Sequence, residues 1–383
     1  VKLCNQGSGI ILNTTKNNCS ADIREGFSDM FSRFYLKAGL LAAAFGAVLN
    51  VSATTAHAAK EMPLGQFAAR QIRHIATYFP GRMAGSPAEL LTADYLKQQF
   101  INMGYQSDVR SFNTRYLYTS KDGKQNWNNV TASSVIAAKP GETPKQILIV
   151  AHFDTYLPQS DADLDHNLGG LTLQGVDDNA SGVGVMLELA ERMKDIPTHY
   201  GLRFIATSAE EIGALGAQNY LQRMSEDEKA NTVLVINLDS LIAGDRLYLS
   251  AGRNTPADVA KATRDRALSI ARRYGIAAAI PPGNKKTGKE SADDDAFDQA
   301  KFPTLTMEAA NWRLGNKDED LQRAISPHFP QGLTRHRPQY DNLQYLERYM
   351  PGRIDKRSRE SVQILLPLIK ELAQAHPAKS AKG

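Results

Sequence analysis

Four short segments carry histidine and acidic residues in an ordered series: His152-Phe153-Asp154, then Asp177-Asp178 within 175–182, then Glu210-Glu211, then Asn237-Leu238-Asp239. Imidazole nitrogen and carboxylate oxygen are the donors that hard and borderline divalent cations take. Several carboxylates converging without Lys or Arg partners repel one another, and divalent cations remove that repulsion. The series therefore points to a metal centre. Each piece alone has a plainer reading. His-x-Asp can be a hydrogen-bonded pair at a strand end. Glu-Glu can be a solvated first helical turn, favoured by the helix dipole. Asn-Leu-Asp can cap a turn. The 175–182 stretch can be a turn and N-cap, with Gly182 and Gly184 placed for close packing. The order of the set makes the metal reading specific, because three of the pieces follow successive buried strands and the fourth, 175–182, opens the helix between them.

Those strands are visible as apolar runs. Residues 147–151 are continuously apolar, as in a strand buried on both faces. Residues 202–206 and 232–238 are similar. Helical stretches at 183–194 and 214–224 lie between them. Further strands are expected at 246–249 and 303–307, separated by a long helix at 255–274. A closing helix spans 357–374, with Pro367 expected to kink it. Upstream, 64–79 and 87–103 read as helices, and 109–118 and 129–138 have strand character. Alternating strands and helices predict a three-layer α/β/α sandwich with a mixed, mainly parallel central sheet. In such sheets ligands collect outside the carboxyl ends of the strands.

The 383 residues include 45 Lys+Arg against 41 Asp+Glu, a net +4 that is too small and scattered to suggest a nucleic-acid partner. Composition excludes disordered, collagen-like and coiled-coil readings. The two cysteines are Cys4 and Cys19, so no disulfide or cysteine zinc site can form in the rest of the chain. From Met30, the basic Arg33 and Lys37, the apolar run 38–49 and Ala56-His57-Ala58 have the layout of a secretory signal peptide cleaved after Ala58. The apolar run is shorter than the ~20 residues of a membrane span. Residues 1–58 thus read as an over-extended start plus signal peptide. Residues 59–383 read as one domain, periplasmic or secreted, without stable membrane association after cleavage.

Together with Ser208-Ala-Glu-Glu-Ile-Gly-Ala-Leu-Gly216 and the stretch Asn311-Trp-Arg-Leu-Gly-Asn-Lys-Asp318, these motifs resemble the co-catalytic zinc aminopeptidases of the leucyl aminopeptidase and glutamate carboxypeptidase II type. The resemblance runs from about residue 65 to the C-terminal helix. It implies a zinc-exopeptidase fold, two Zn2+ per chain, and peptide or protein N-termini as substrate. By position it makes His152, Asp178 and Asp239 ligands of one zinc, and Asp178, Glu211 and His336 ligands of the other. Asp154 would accept the second ring N–H of His152, and Glu210 would be the general base for an attacking water. The peptide bond Asp178–Asn179 is a candidate cis bond. The family places an aspartate four residues after the last histidine, whereas Asp341 is five residues after His336. His328, in Pro327-His-Phe-Pro330, and His166 are rivals for that position. The family's Ser-Asp-His motif is altered to Ser291-Ala-Asp-Asp-Asp-Ala-Phe297, without its histidine. A basic substrate N-terminus would want an acidic pocket, for which Asp293 and Asp294 in the 290–295 segment are the candidates. The plainer reading of that segment is a solvated acidic loop.

Asp161-Ala-Asp-Leu-Asp165 resembles the start of a calcium loop, but His166 and Thr172 stand where Gly and Glu are required. A solvated loop near the site mouth is expected instead. Rival functions are a single-zinc glutaminyl cyclase, a carboxypeptidase of the same fold, a non-catalytic binding module, and a two-carboxylate glycosidase.

Overall fold

The computed structural model describes residues 62–282, 292–311 and 334–374. The signal-peptide segment, both cysteines, His328, residues 290–291 and 312–318 lie outside the described residues. Two helices come first, α1 (Gln66–Tyr78) and α2 (Pro87–Asn102). Ser86 caps α2 by accepting the Glu89 N–H at 3.1 Å, and Pro87 occupies its first turn. A long hairpin follows, β1 (Gln106–Thr119) and β2 (Gln125–Lys139).

The central part alternates: β3 (Gln146–His152), α3 (Asp161–Asp165), α4 (Ser181–Met193), β4 (Gly201–Thr207), α5 (Leu215–Arg223), α6 (Glu226–Asn231) and β5 (Thr232–Asp239). Then come β6 (Arg246–Ala251), α7 (Ala257–Ala260), α8 (Arg266–Arg273), β7 (Ala278–Ala279), α9 (Asp293–Gln299) and β8 (Thr304–Ala310). Helices α10 (Leu343–Tyr349) and α11 (Arg353–Leu372) end the described chain. The helix expected at 255–274 is two segments joined by a π-helical turn, Lys261–Asp265. Helix α11 begins four residues earlier than expected and continues through Pro367.

The eight strands form one sheet in the order β1-β2-β4-β3-β5-β8-β6-β7. Pairs β3/β4, β3/β5, β5/β8 and β6/β7 are parallel; β1/β2, β2/β4 and β6/β8 are antiparallel. The sheet is thus mixed and mainly parallel at its centre. Every residue of β3 is buried, as an apolar strand covered on both faces must be. Ile147 and Ile149 pack with Ile72, Leu96, Val185, Ile270 and Leu365 of the helices on one side. Leu148 and Val150 pack with Ala217, Tyr220 and Phe297 on the other. Period-two alternation along one strand therefore feeds two separate cores, which defines the three layers.

Two segments expected as loops are helical. Ser160 caps α3 by accepting the Asp163 N–H at 3.1 Å. The Asp161 carboxylate accepts the Tyr118 hydroxyl at 2.7 Å and the Lys121 N–H at 2.8 Å. Those acidic groups serve local structure, so the segment is not simply solvated. Residues 293–295 form the first turn of α9, where the dipole favours carboxylates, and Asp293 is buried. Among the described residues no helix is long and apolar enough to cross a membrane.

Candidate metal centre

Strands β4, β3 and β5 run side by side in parallel, with His152 level with Thr207. Their carboxyl ends therefore open at one edge. Strand β3 ends in His152, β5 ends in Asp239, and Glu210-Glu211 lie in the turn after β4. That turn is held by Asp154, whose two carboxylate oxygens accept the N–H groups of Glu210 and Glu211, each at 3.3 Å.

Asp178 arrives on a separate turn before α4, and its peptide bond to Asn179 is cis. The turn is fastened from several directions. Asp177 Oδ1 accepts the N–H groups of Ile242 at 2.8 Å and Ala243 at 3.0 Å. Asn179 Oδ1 accepts those of Gly182 at 2.8 Å and Ser240 at 3.1 Å, while its Nδ2 donates to Leu238 O at 2.9 Å. A Cβ on Gly182 would sit 2.3 Å from Leu238 O, so only glycine lets the helix start lie this close to β5. Gly184 is likewise tight against Ile72.

Asp178 is central. Its Oδ1 lies 3.1 Å from His152 Nε2, and its Oδ2 lies 3.4 Å from His336 Nε2. His152 Nε2 also faces Asp239 Oδ1 at 3.5 Å and Glu210 Oε2 at 4.0 Å. His336 Nε2 faces Glu211 Oε2 at 3.1 Å. Donor atoms of His152, Asp178 and Glu211 all lie within 4.8 Å of one another. The Tyr156 ring stacks on His336 with centroids 4.3 Å apart, and His336 O accepts the Gly169 N–H at 2.7 Å.

Burial pushes the imidazoles down, but the surrounding carboxylates outweigh it. Glu210, Asp154, Asp178 and Asp239 hold His152 well above its ordinary pKa; Glu211 and Asp178 do the same for His336. Asp178, opposed by its own burial, is drawn well below the carboxylate range by the two histidines. Burial pushes Glu210 well up and Glu211 to about 7, with neighbouring acids adding to both. The cluster thus retains protons that divalent cations would displace. Glu211 Oε1 is buried without a hydrogen-bond partner, as a ligand atom would be. Two imidazoles with flanking carboxylates fit a zinc-type ion.

His166 is exposed at the end of α3, and the clustered donor set is His152, Asp178 and Glu211 without it. The Asp154 carboxylate is 3.6 Å from His152 Nδ1, whereas the Asp154 carbonyl oxygen is closer, at 3.2 Å. The backbone is therefore the nearer partner of the ring, and the carboxylate is taken up by the Glu210-Glu211 turn. Asp293 is buried, accepts the Thr207 hydroxyl, and is pushed to about 7 by burial, with His152 opposing. Asp294 accepts the Thr306 hydroxyl at 2.9 Å and is pushed to about 6 by burial beside Asp295 and Glu308.

Two further contributors, Arg82 and Arg335, were not legible in the sequence, and a third, Asp341, was visible there only by its spacing from His336. Fully buried Arg82 donates to the carbonyls of Phe153 at 2.8 Å, Phe79 at 3.0 Å, Gln174 at 2.8 Å and Gly175 at 3.1 Å. It ties the end of β3 to the Asp178 turn. Asp341 accepts the N–H groups of Asp177 and Asp178. Arg335 faces Asp239, Glu308, Asp178 and Asp177, so the carboxylates are not wholly without a basic neighbour.

The sequence model of "Peptidase family M28" matches residues 134–360. The chain is 58% identical over 323 residues to the alkaline phosphatase isozyme conversion protein of Escherichia coli (strain K12), covering 83% of this chain and 93% of that one. Among solved structures, a zinc aminopeptidase from Bacillus subtilis superposes with a TM-score of 0.60 at 15% identity, covering 84% of this chain and 96% of that one. A glutaminyl cyclase from Fimbriiglobus ruber superposes with a TM-score of 0.56 at 18% identity, covering 81% and 96%. The fold alone does not separate these two activities.

Proposed function

The chain belongs to peptidase family M28, and from that membership we propose that it is a zinc-dependent aminopeptidase acting on peptide or protein N-termini. The wider likeness to leucyl aminopeptidases and the glutamate carboxypeptidase II type holds only loosely.

One observation carries the reading. Asp178 offers one carboxylate oxygen to each of two histidines, and each histidine faces a further carboxylate. This supports two adjoining metal positions: His152, Asp178 and Asp239 for one, His336, Asp178 and Glu211 for the other. Zinc bound there supplies Lewis acidity and a water of lowered pKa.

The chain's own groups do the rest. Glu210 lies beside His152 without being one of the assigned ligands, and its high proton affinity suits a general base. It takes a proton from the attacking water and returns it to the leaving amine. Asp154 positions Glu210 and Glu211 through their backbone N–H groups. Asp293 and Asp294, at the start of α9, are the proposed readers of a basic N-terminal residue. The segment 30–58 is the proposed export signal, which makes the enzyme periplasmic or secreted.

The test is hydrolysis of arginine and leucine arylamides by residues 59–383, before and after chelation, with zinc measured on the same sample. Chelator-sensitive release with two zinc per chain is expected. Two zinc without release would favour a carboxypeptidase, and one zinc without release would favour a glutaminyl cyclase. An unchanged Arg-to-Leu ratio in both Asp293→Asn and Asp294→Asn would remove the acidic readers.

A further inference from the structure

The two metal positions proposed above are built differently. His152 and Asp239 are the last residues of β3 and β5, and the sheet ladder holds both, His152 beside Thr207 and Asp239 beside Glu308. Glu211 lies in the turn after β4. His336 lies in the segment ahead of α10, with its backbone in the left-handed region at a φ of 63°. A residue other than glycine keeps such a conformation only where its surroundings hold it there. Neither of these two residues belongs to a strand or helix, so other contacts must fix them.

The segment 156–169 supplies those contacts. The Tyr156 ring is stacked on the His336 imidazole, with centroids 4.3 Å apart and planes tilted by 20°. Gly169 N–H donates to His336 O at 2.7 Å. Gln159 Nε2 donates to Glu211 O at 2.9 Å. One stretch of chain thus touches both of the loop-borne residues.

The stretch is itself fastened, by the acidic residues of α3. Asp163 Oδ2 accepts the Gln159 N–H at 2.7 Å and the Tyr156 hydroxyl at 3.3 Å. Asp161 accepts the Tyr118 hydroxyl at 2.7 Å and the Lys121 N–H at 2.8 Å, which ties the stretch to the β1–β2 hairpin. On the same hairpin, Thr119 N–H donates to Gln159 O at 2.9 Å. The acidic run of α3 is therefore a brace between the hairpin and the loop-borne half of the centre.

We propose that Tyr156 and Gln159 are positioning residues for the second metal position, Tyr156 acting on His336 and Gln159 on Glu211. The proposal rests on the two-position reading above. Tyr156 fixes the plane of the imidazole, so that its Nε2 stays directed at Asp178 and Glu211. Gln159 fixes the turn that presents the Glu211 carboxylate. A side chain free to rotate must give up that freedom when it ligates, whereas a stacked one has already lost it. The first position takes its order from the strand ends and gains nothing from either residue.

The test titrates zinc into the metal-stripped protein against a chelating dye, and two binding steps are expected. Tyr156→Leu removes the stacked ring, and Gln159→Ala, at a half-buried side chain, tests the same segment independently. Each should weaken one step about 10- to 100-fold, the usual cost of losing a partner that orients a ligand, and leave the other within about twofold. The weakened step should be the one that His336→Ala abolishes. Tyr156→Leu added to His336→Ala should then change the remaining step by less than about twofold. Tyr156→Phe keeps the ring and should recover most of the lost affinity. Each variant tests its own residue. Wild-type affinity at both steps overturns the role of that residue, and so does an equal weakening of both steps, which marks a general loss of structure. A single zinc step in the wild type overturns the two-position reading and this proposal with it.

Discussion

Asp341 holds Asp178 in place across 163 residues of chain. Its two carboxylate oxygens accept consecutive backbone N–H groups, Asp177 at 2.8 Å and Asp178 at 3.1 Å. It touches neither histidine, yet it fixes the turn that presents Asp178 to both. Asp341→Ala leaves two buried donors without acceptors and frees that turn. Zinc affinity should fall about 10- to 100-fold, the usual cost of losing a supporting partner. Asp341→Asn keeps one acceptor and should recover part of it. Competition with a zinc-binding dye reads both; wild-type affinity in the alanine variant would refute the role.

Glu210→Gln removes the proposed base without touching the assigned ligands. Turnover should drop by ~10²–10⁴-fold with zinc content unchanged. Near-normal kcat at full zinc occupancy would exclude Glu210 as the base.

Metal binding should release protons. Glu211 sits at about 7, and Glu210, His152 and His336 lie well above their ordinary values. Groups that ligate must lose those protons, so zinc affinity should weaken as pH falls from about 8 to 6. Calorimetry in buffers of different ionisation enthalpy would show the release. Buffer-independent heats would contradict it.

Glu89 supplies a separate pH test away from the ligands. It is buried and pushed to about 7 by burial, although Ser208 and the Ser133 N–H at 2.7 Å favour its charge. Its folded-state pKa is raised, so its stabilising share is complete below about pH 4.5 and is lost as pH rises through about 7. Glu89→Gln should therefore gain on wild type as pH rises, by on the order of 2–3 kcal/mol at pH 8. Urea unfolding at pH 5 and pH 8 compares them; an equal difference at both values would show that Glu89 stays ionised.

The parts of the fold readable in the sequence were those governed by apolar pattern. β3, β4 and β5 show as apolar runs because both faces are covered. Helices α3, α6 and α9 were missed because they are short and polar. Their ends are set by caps and acidic first turns, such as the reciprocal Ser225 and Glu228 bonds of α6. The strand-end position of His152 and Asp239 is likewise a property of local sequence. The work of Arg82 and Asp341 is not, since it depends on which distant carbonyl and amide groups the fold brings to them. The acidic run at 293–295 was legible as charge, but its burial was not, because α9 turns Asp293 inward against Thr207.

The position of His336 sets the order in which the centre can be completed. His152, Asp178, Glu211 and Asp239 all belong to the β3–β5 half of the sheet, whereas His336 follows β8, the strand beside β5. A chain ending after β5 would carry the acidic cluster with one imidazole, so the second histidine of the cluster is contributed only by the segment ahead of α10.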